Sequence, residues 1–254
     1  MSDPIFLKGE GVSLLRVQEG CPMRDPNISK IFEVAKAENR NFLFEHEAKM
    51  LCSLYGIPIT KIEVVKTEDA AVASANRIGF PIVLKIVSPQ VLHKSDAGGV
   101  IVGVNDENGI RESYQRIISN IKNNVPTAVI DGILVQEMAP KGTEIIIGST
   151  VDPTFGPTIM FGLGGIFVEI LKDVSFRLAP ITKEDAWEML DEIKAKKILD
   201  GARGMPKADK ETIVNTLLAV SKMLIECPEI KELDMNPILV YEKGARAVDA
   251  RVIL

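Results

Sequence analysis

The chain is poor in the residues that usually announce a metal or disulfide scaffold: two histidines, one tryptophan and three cysteines in 254 residues. Cys21, Cys52 and Cys227 are few, far apart and odd in number, which excludes a disulfide framework or zinc site and fits thiols in a reducing cytoplasm. Positive charge is not in excess either. Thirty Lys and Arg stand against 35 Asp and Glu, a net charge of −5, so the clustered basic surface that carries nucleic-acid backbone binding is missing and no nucleic-acid partner is expected. No apolar run reaches spanning length, because Ile145 to Ile147 and Ile159 to Ile170 are broken by glycine or charge. Met1 to Arg16 lacks a basic stretch leading into an apolar core, so neither a membrane segment nor an export signal is expected. The P-loop and dinucleotide-binding glycine spacings are absent, and so is any short repeat.

What is present is a chain that is 46% hydrophobic, enough to fill an ordinary core. A stretch rich in Gly and Pro (Pro4, Gly9, Gly11, Gly20, Pro22, Pro26) precedes a short helical run at 29–39. From Phe42 helices and strands alternate: a helix to Leu54 closed by Gly56, strands at 62–65, 82–87 and 100–104, and helices at 68–78 and 110–123. Strands at 132–138, 144–150 and 158–161 follow, then a Gly162 to Gly165 loop. Thr182 with Asp185 signs the start of a helix expected to reach about Asp200, where Gly201 stops it. A helix at 209–225 and β-like runs at 238–241 and 246–254 finish the chain. The fold class is α/β with mixed α+β lobes.

Several residues could carry chemistry. Lys85 sits inside an apolar strand on the face shared by Val83 and Val87; it either snorkels to the sheet edge or binds phosphate. The next loop, His93-Lys94-Ser95-Asp96-Ala97-Gly98-Gly99, offers an imidazole with Asp96 as an orienting carboxylate. Its paired glycines can present backbone N–H groups to oxyanions. His46, between Glu45 and Glu47, reads as a solvated helix residue. Gln136, Glu137 and Glu144 gather at one sheet end and suit adenine and ribose, or simply face water. Glu169 and Arg177 flank Lys172-Asp173 as a candidate carboxylate for metal and a candidate arginine for phosphate, or as ordinary surface ion pairs. If Glu242 to Gly244 reverses the chain, Asn236 falls opposite Asp249 within about one register position, a pair of oxygen ligands suited to nucleotide-bound Mg²⁺.

These motifs, in this order, resemble a known family. Gly79 to Lys85, Leu92 to Val100, Phe155-Gly156-Pro157 with Phe161 to Glu169, and Glu232 to Pro237 resemble the β subunit of ADP-forming acetyl-CoA (acyl-CoA) synthetases, and more distantly that of succinyl-CoA synthetase. The likeness spans Asn41 to Leu254. It implies an ATP-grasp fold of two subdomains clasping the nucleotide: a lobe of residues 41–58 plus 136–254, a lid of 59–135, and an N-terminal extension of 1–40. It implies ATP or ADP and Mg²⁺ as cofactors, with Lys85 on phosphate, Gln136, Glu137 and Glu144 at the adenosine end, and Asn236 and Asp249 on the metal. His93 would relay phosphate to or from a histidine on an α subunit that also binds CoA, and Asp234 would steady that phosphohistidine. An α2β2 heterotetramer in the cytoplasm is expected. The rival readings are another ATP-grasp carboxylate ligase that forms an acyl phosphate without phosphohistidine, and a non-catalytic nucleotide-sensing subunit.

Overall fold

The computed structural model describes residues 24–91, 93–165, 168, 170–201 and 206–254. The first described helix, α1 (Pro26–Ala37), starts where Asp25 accepts the Asn27 N–H and Pro26 fills the first turn, both favoured where helical N–H groups lack partners. Its Ile28, Phe32 and Ala35 are buried in the larger of two hydrophobic cores, so this part of the expected extension packs onto the body of the protein. A two-residue strand, β1 (Phe42–Leu43), leads into α2 (Glu45–Leu54). At the head of α2, Glu47 accepts the Phe44 N–H at 2.8 Å.

The smaller lobe follows as β2 (Ile62–Val65), α3 (Glu68–Ile78), β3 (Ile82–Val87), β4 (Val100–Val104), α4 (Glu107–Asn124) and β5 (Gly132–Glu137). Thr67 and Asp106 cap the two helices by accepting the Ala70 and Gly109 N–H groups. The four strands form an antiparallel sheet in the order β2-β5-β3-β4. Strand periodicity divides β3 between two environments. Ile82, Leu84 and Ile86 enter the core with Ile110, Ile117 and Ile121 of α4, and the alternate set, with Lys85, turns the other way.

The larger lobe takes the rest: β6 (Thr143–Asp152), β7 (Gly156–Leu163), β8 (Val174–Leu178), α5 (Lys183–Glu192), a 3-10 turn at Lys196–Asp200, α6 (Lys210–Glu226), β9 (Glu232–Val240), β10 (Ala245–Ala247) and β11 (Arg251–Ile253). Its antiparallel sheet runs β1-β11-β9-β6-β7-β8, with β10 also on β9. Ile145, Ile147, Ile159, Phe161, Leu233 and Met235 form the core with the helices. The helix expected to reach Asp200 stops at Ile193, which is extended. Asp173 accepts the Lys194 and Ala195 N–H groups at 2.8 Å each, satisfying those donors off the helix. β7 runs through Gly162 and Leu163, shortening the expected glycine loop, and β9 begins at Glu232 rather than 238. That early start is what places Asp234 and Asn236 on the sheet. Among the described residues no helix is long and apolar enough to cross a membrane.

Candidate functional site

The two lobes face each other across a cleft of about 550 Å³ whose lining includes Glu45, His93, Lys94, Asp234, Asn236 and Asp249. β3 supplies the first functional group. Lys85 is buried, and its Nζ lies 2.5 Å from Glu45 Oε1 and 3.8 Å from Asp249 Oδ2. Glu45 in turn is buried at the start of α2 and meets two further ammonium groups, Lys94 at 3.0 Å and Lys49 at 3.2 Å. Burial alone would raise the Glu45 pKa, but Lys85, Lys49 and Lys94 outweigh it and hold the carboxyl at about 2. Lys49 is fully buried and continues the chain, donating to Gln136 Oε1 at 2.6 Å and Thr60 Oγ1 at 3.1 Å. Desolvation presses its pKa down to about 8, and Glu45 pulls the other way without cancelling that.

Opposite this network stands the end of the larger sheet. β10 pairs Ala247 with Ile238 and β11 pairs Arg251 with Asp234, so Asn236 and Asp249 fall opposite one another between the two ladders, and both line the cleft. Asp234 opens onto the same space. The cleft walls raise its pKa by desolvation and the Asp249 charge raises it further, against a smaller pull from Arg251. A carboxylate raised in this way by a second one beside it marks a patch of negative charge that a cation would relieve.

His93 is exposed at the cleft and begins a turn that reaches β4. The paired glycines serve that turn and do not present free amides, contrary to the sequence expectation. Gly98 N–H donates to Ser95 O at 3.0 Å and Gly99 N–H to Lys94 O at 2.7 Å. Their missing Cβ atoms are a packing requirement: at Gly98, with φ +69, a Cβ would lie 2.7 Å from Asn120 Nδ2, and at Gly99 one would lie 2.5 Å from Ile86 Cγ2.

Other expectations need correction. Arg177 is not brought to the cleft. Its strand position pairs with the core-facing Ile159, and its guanidinium meets Glu192 at 2.5 Å and Glu188 at 3.1 Å on α5, while its neighbour Phe176 lines a separate groove with Asp234 and Arg251. Gln136 is 1% exposed, with its oxygen taken by Lys49, so it supports the lysine network instead of meeting solvent. Glu137 accepts the Lys61 N–H at 3.0 Å. Glu144 is exposed beside Gly164, whose N–H its carbonyl accepts at 2.8 Å. Glu169 lies outside the described residues. His46 is not a solvated helix residue: its ring stacks on Phe44 at 5.7 Å and its Nδ1 is buried without a partner. Burial lowers its pKa despite the nearby Glu47.

The site contains three groups that the sequence reading missed: Glu45, Lys49 and Lys94 in its role as a partner of Glu45. A signal existed. Glu45, Ala48, Lys49 and Cys52 share one helical stripe and all four are buried, so an acid and a base on an inward-facing i,i+4 pair marked α2 as more than a packing helix.

Comparison with known proteins places these observations in a family. Residues 34–254 match the ATP-grasp domain family. The β subunit of acetate–CoA ligase (ADP-forming) I from Pyrococcus furiosus is 53% identical over 225 residues, covering 89% of this chain and 97% of that subunit. The dinucleotide-forming acetyl-coenzyme A synthetase 1 of Ca. Korarchaeum cryptofilum, in complex with coenzyme A, Ca-AMPCP and HgCl+, has a chain that superposes with a TM-score of 0.86 at 53% identity, over 89% of this chain and 98% of that one. The same enzyme with coenzyme A and Mg-AMPPCP, its phosphohistidine segment pointing towards the nucleotide binding site, gives a TM-score of 0.80 at 49% identity, over 89% and 99% of the two chains. The chain belongs to the ATP-grasp family, among the β subunits of ADP-forming acetate–CoA ligases.

Proposed function

We infer that this chain is the nucleotide-binding subunit of an ADP-forming acyl-CoA synthetase, which interconverts acyl-CoA, ADP and phosphate with acid, ATP and CoA. It works with an α subunit that holds CoA and carries a phosphohistidine, in an α2β2 heterotetramer. The observation that carries the reading is the charge of the cleft. Three buried or half-buried ammonium groups converge on one carboxylate, and such a surplus of positive charge beside an imidazole suits a polyphosphate.

In the direction of ATP synthesis, an unprotonated ring nitrogen of His93 attacks the phosphorus of the partner's phosphohistidine. The new N–P bond forms as the old one breaks, and the partner's imidazole leaves. A terminal oxygen of ADP then attacks the phosphorus on His93, restoring the imidazole and giving ATP. The protein's work in both steps is alignment and charge stabilisation. Lys85 holds the phosphate chain, and Asp234 receives the arriving imidazole, to which a carboxylate is a natural partner. Glu144, exposed beside Gly164, serves the nucleoside end.

Asn236 and Asp249 fit Mg²⁺, since one amide and one carboxylate oxygen are what such an ion takes from protein when phosphates and water supply the rest. When bound, the ion neutralises charge on the phosphates.

The test is an ADP- and phosphate-dependent assay of the reconstituted complex across several acyl-CoA esters, together with labelling from [γ-³²P]ATP. Acid-labile label on this chain is expected, and it should vanish in His93→Ala while ATP still binds. Unchanged turnover in that variant removes the relay through His93, and acid-stable label on bound carboxylate points to a ligase that forms acyl phosphate directly.

A further inference from the structure

Glu45 occupies an unusual place in the cleft. It opens α2 in the larger lobe, yet two of its three cationic partners, Lys85 on β3 and Lys94 in the His93 turn, belong to the smaller lobe. The third, Lys49, is one helical turn along α2 and ties the same carboxylate to Gln136 of β5. The turn that bears His93 is fastened from behind by α4, where Asn120 Nδ2 donates to Gly98 O at 2.9 Å and Asn124 Nδ2 to Ala97 O at 3.1 Å. β3 also holds it, through Ile86 N–H to Gly99 O at 2.8 Å. On its cleft side it meets the larger lobe through the pair of Lys94 Nζ and Glu45 Oε2 at 3.0 Å.

A count of donors separates the three lysines. An ammonium has three N–H bonds. Lys49 directs its three at Glu45, Thr60 and Gln136, so it is committed to the protein. Lys85 and Lys94 each donate within hydrogen-bond distance to Glu45, with Asp249 at 3.8 Å from Lys85. Each therefore keeps N–H capacity for oxygens of a ligand while one bond fixes its direction. Both oxygens of Glu45 are taken by these ammonium groups, and a carboxylate has no N–H to offer a phosphate, so it acts on a ligand through the lysines.

We propose that Glu45 is a positioning residue for phosphoryl transfer: from the first turn of α2 it aligns Lys85 with the phosphate chain and, through Lys94, sets the turn carrying His93 against it. The proposal rests on the phosphoryl-transfer reading given above and deepens it. Misplacing reacting groups by about 1 Å costs on the order of 10²-fold in rate, whereas electrostatic attraction of a nucleotide survives small displacements of two lysines. The loss on removing Glu45's charge therefore falls on kcat and not on nucleotide affinity.

The experiment uses the reconstituted complex with Glu45→Gln, Lys94→Gln and the double variant. Glu45→Gln keeps the size and one oxygen. It should lower kcat by roughly 30-fold, with KM for ADP within about threefold of wild type, and slow ³²P labelling of His93 in parallel. Lys94→Gln alters a partly exposed side chain, so folding is not at stake, and should show the same split. Because both act through one pair, the double variant should be little worse than the poorer single variant. Wild-type kcat in Glu45→Gln, a loss confined to KM, or independent multiplication of the two losses overturns the proposal. If Glu45→Gln fails to fold, Lys94→Gln decides alone: a kcat-specific loss supports the positioning role and a wild-type kcat removes it. Failure of the wild-type complex to transfer phosphate at all would instead strike the functional reading.

Discussion

Two clusters of ion pairs, one in the cleft and one on the far edge of the larger sheet, are built from the same residue types in opposite proportions. In the cleft a single buried carboxylate, Glu45, faces Lys85, Lys49 and Lys94. At the edge a single cation, Arg177, faces Glu192, Glu188 and Asp185 at 2.5, 3.1 and 4.0 Å. The first has unspent positive charge in a place sheltered from water, so it attracts an anion and acts on it strongly. The second has its cation saturated at the surface, where solvent and salt screen the pairs. Hydrogen bonds that Arg177 donates to Glu192 raise its pKa further, against a smaller desolvation effect, which makes it a permanently charged strut. Surplus of one sign, combined with burial, separates a binding site from a solvated ion pair here; the mere presence of a basic residue does not.

The sharpest way to break the comparison is to remove one cation from each cluster. Lys85→Met should reduce kcat/KM for the nucleotide by roughly 10²- to 10³-fold, the scale of losing one group that stabilises charge in transfer. The fold should survive, because Glu45 keeps Lys49 and Lys94. Steady-state rates of ADP-dependent turnover measure it, and a loss under threefold would mean the cleft surplus does nothing for the substrate. A smaller effect is expected across the cleft. Asp249→Asn should raise the Mg²⁺ concentration for half-maximal turnover by about tenfold or more. It should also let the Asp234 pKa fall, since the Asp249 charge is one of the two influences that raise it. A metal titration and an NMR titration of Asp234 would show both shifts, and an unchanged Mg²⁺ requirement would take Asp249 out of the metal site.

How much of this was readable in the sequence varies with the physics involved. Lys85 was legible because an ammonium amid Ile82, Val83, Leu84 and Ile86 demands a partner. Asn236 and Asp249 were legible because a hairpin fixes register on both sides of them. The identity of Lys85's partner was not, because Glu45 is 40 residues away and only the meeting of two lobes brings it there. Gly98 and Gly99 misled for a different reason. Paired glycines permit either an open amide cradle or close packing, and the second was decided by Asn120 and Ile86, residues that local pattern does not connect with the turn. The same holds for the end of α5, where Asp173, twenty residues upstream in the chain or so, takes the N–H groups that the expected helix would have used. Arg177 failed because alternation along β8 turns it to the face carrying α5, where Glu188 and Glu192 take it at the protein surface, and β8 itself carried no clear strand pattern.

The remaining predictions sharpen the contrast through stability. Glu45 has its carboxyl lowered from 4.5 to about 2, so its contribution to stability is fully present above pH 4.5 and is lost as pH falls from there towards 2. Tm measured across that window should fall steeply in the wild type and less steeply in Glu45→Gln, and parallel slopes would mean that the three lysines do not hold the carboxylate charged. Arg177→Ala should have the smallest effect of all. Its partners Glu188 and Glu192 sit on the solvent side of α5, where they can rehydrate when the guanidinium is removed, and exposed pairs of this kind contribute about 0–1 kcal/mol. The expected outcome is a slight fall in Tm, partly reproduced in the wild type by high salt, with turnover within twofold. A kcat loss approaching that of Lys85→Met would show that the edge cluster reaches the chemistry after all, and that counting the surplus charge is the wrong way to tell the two clusters apart.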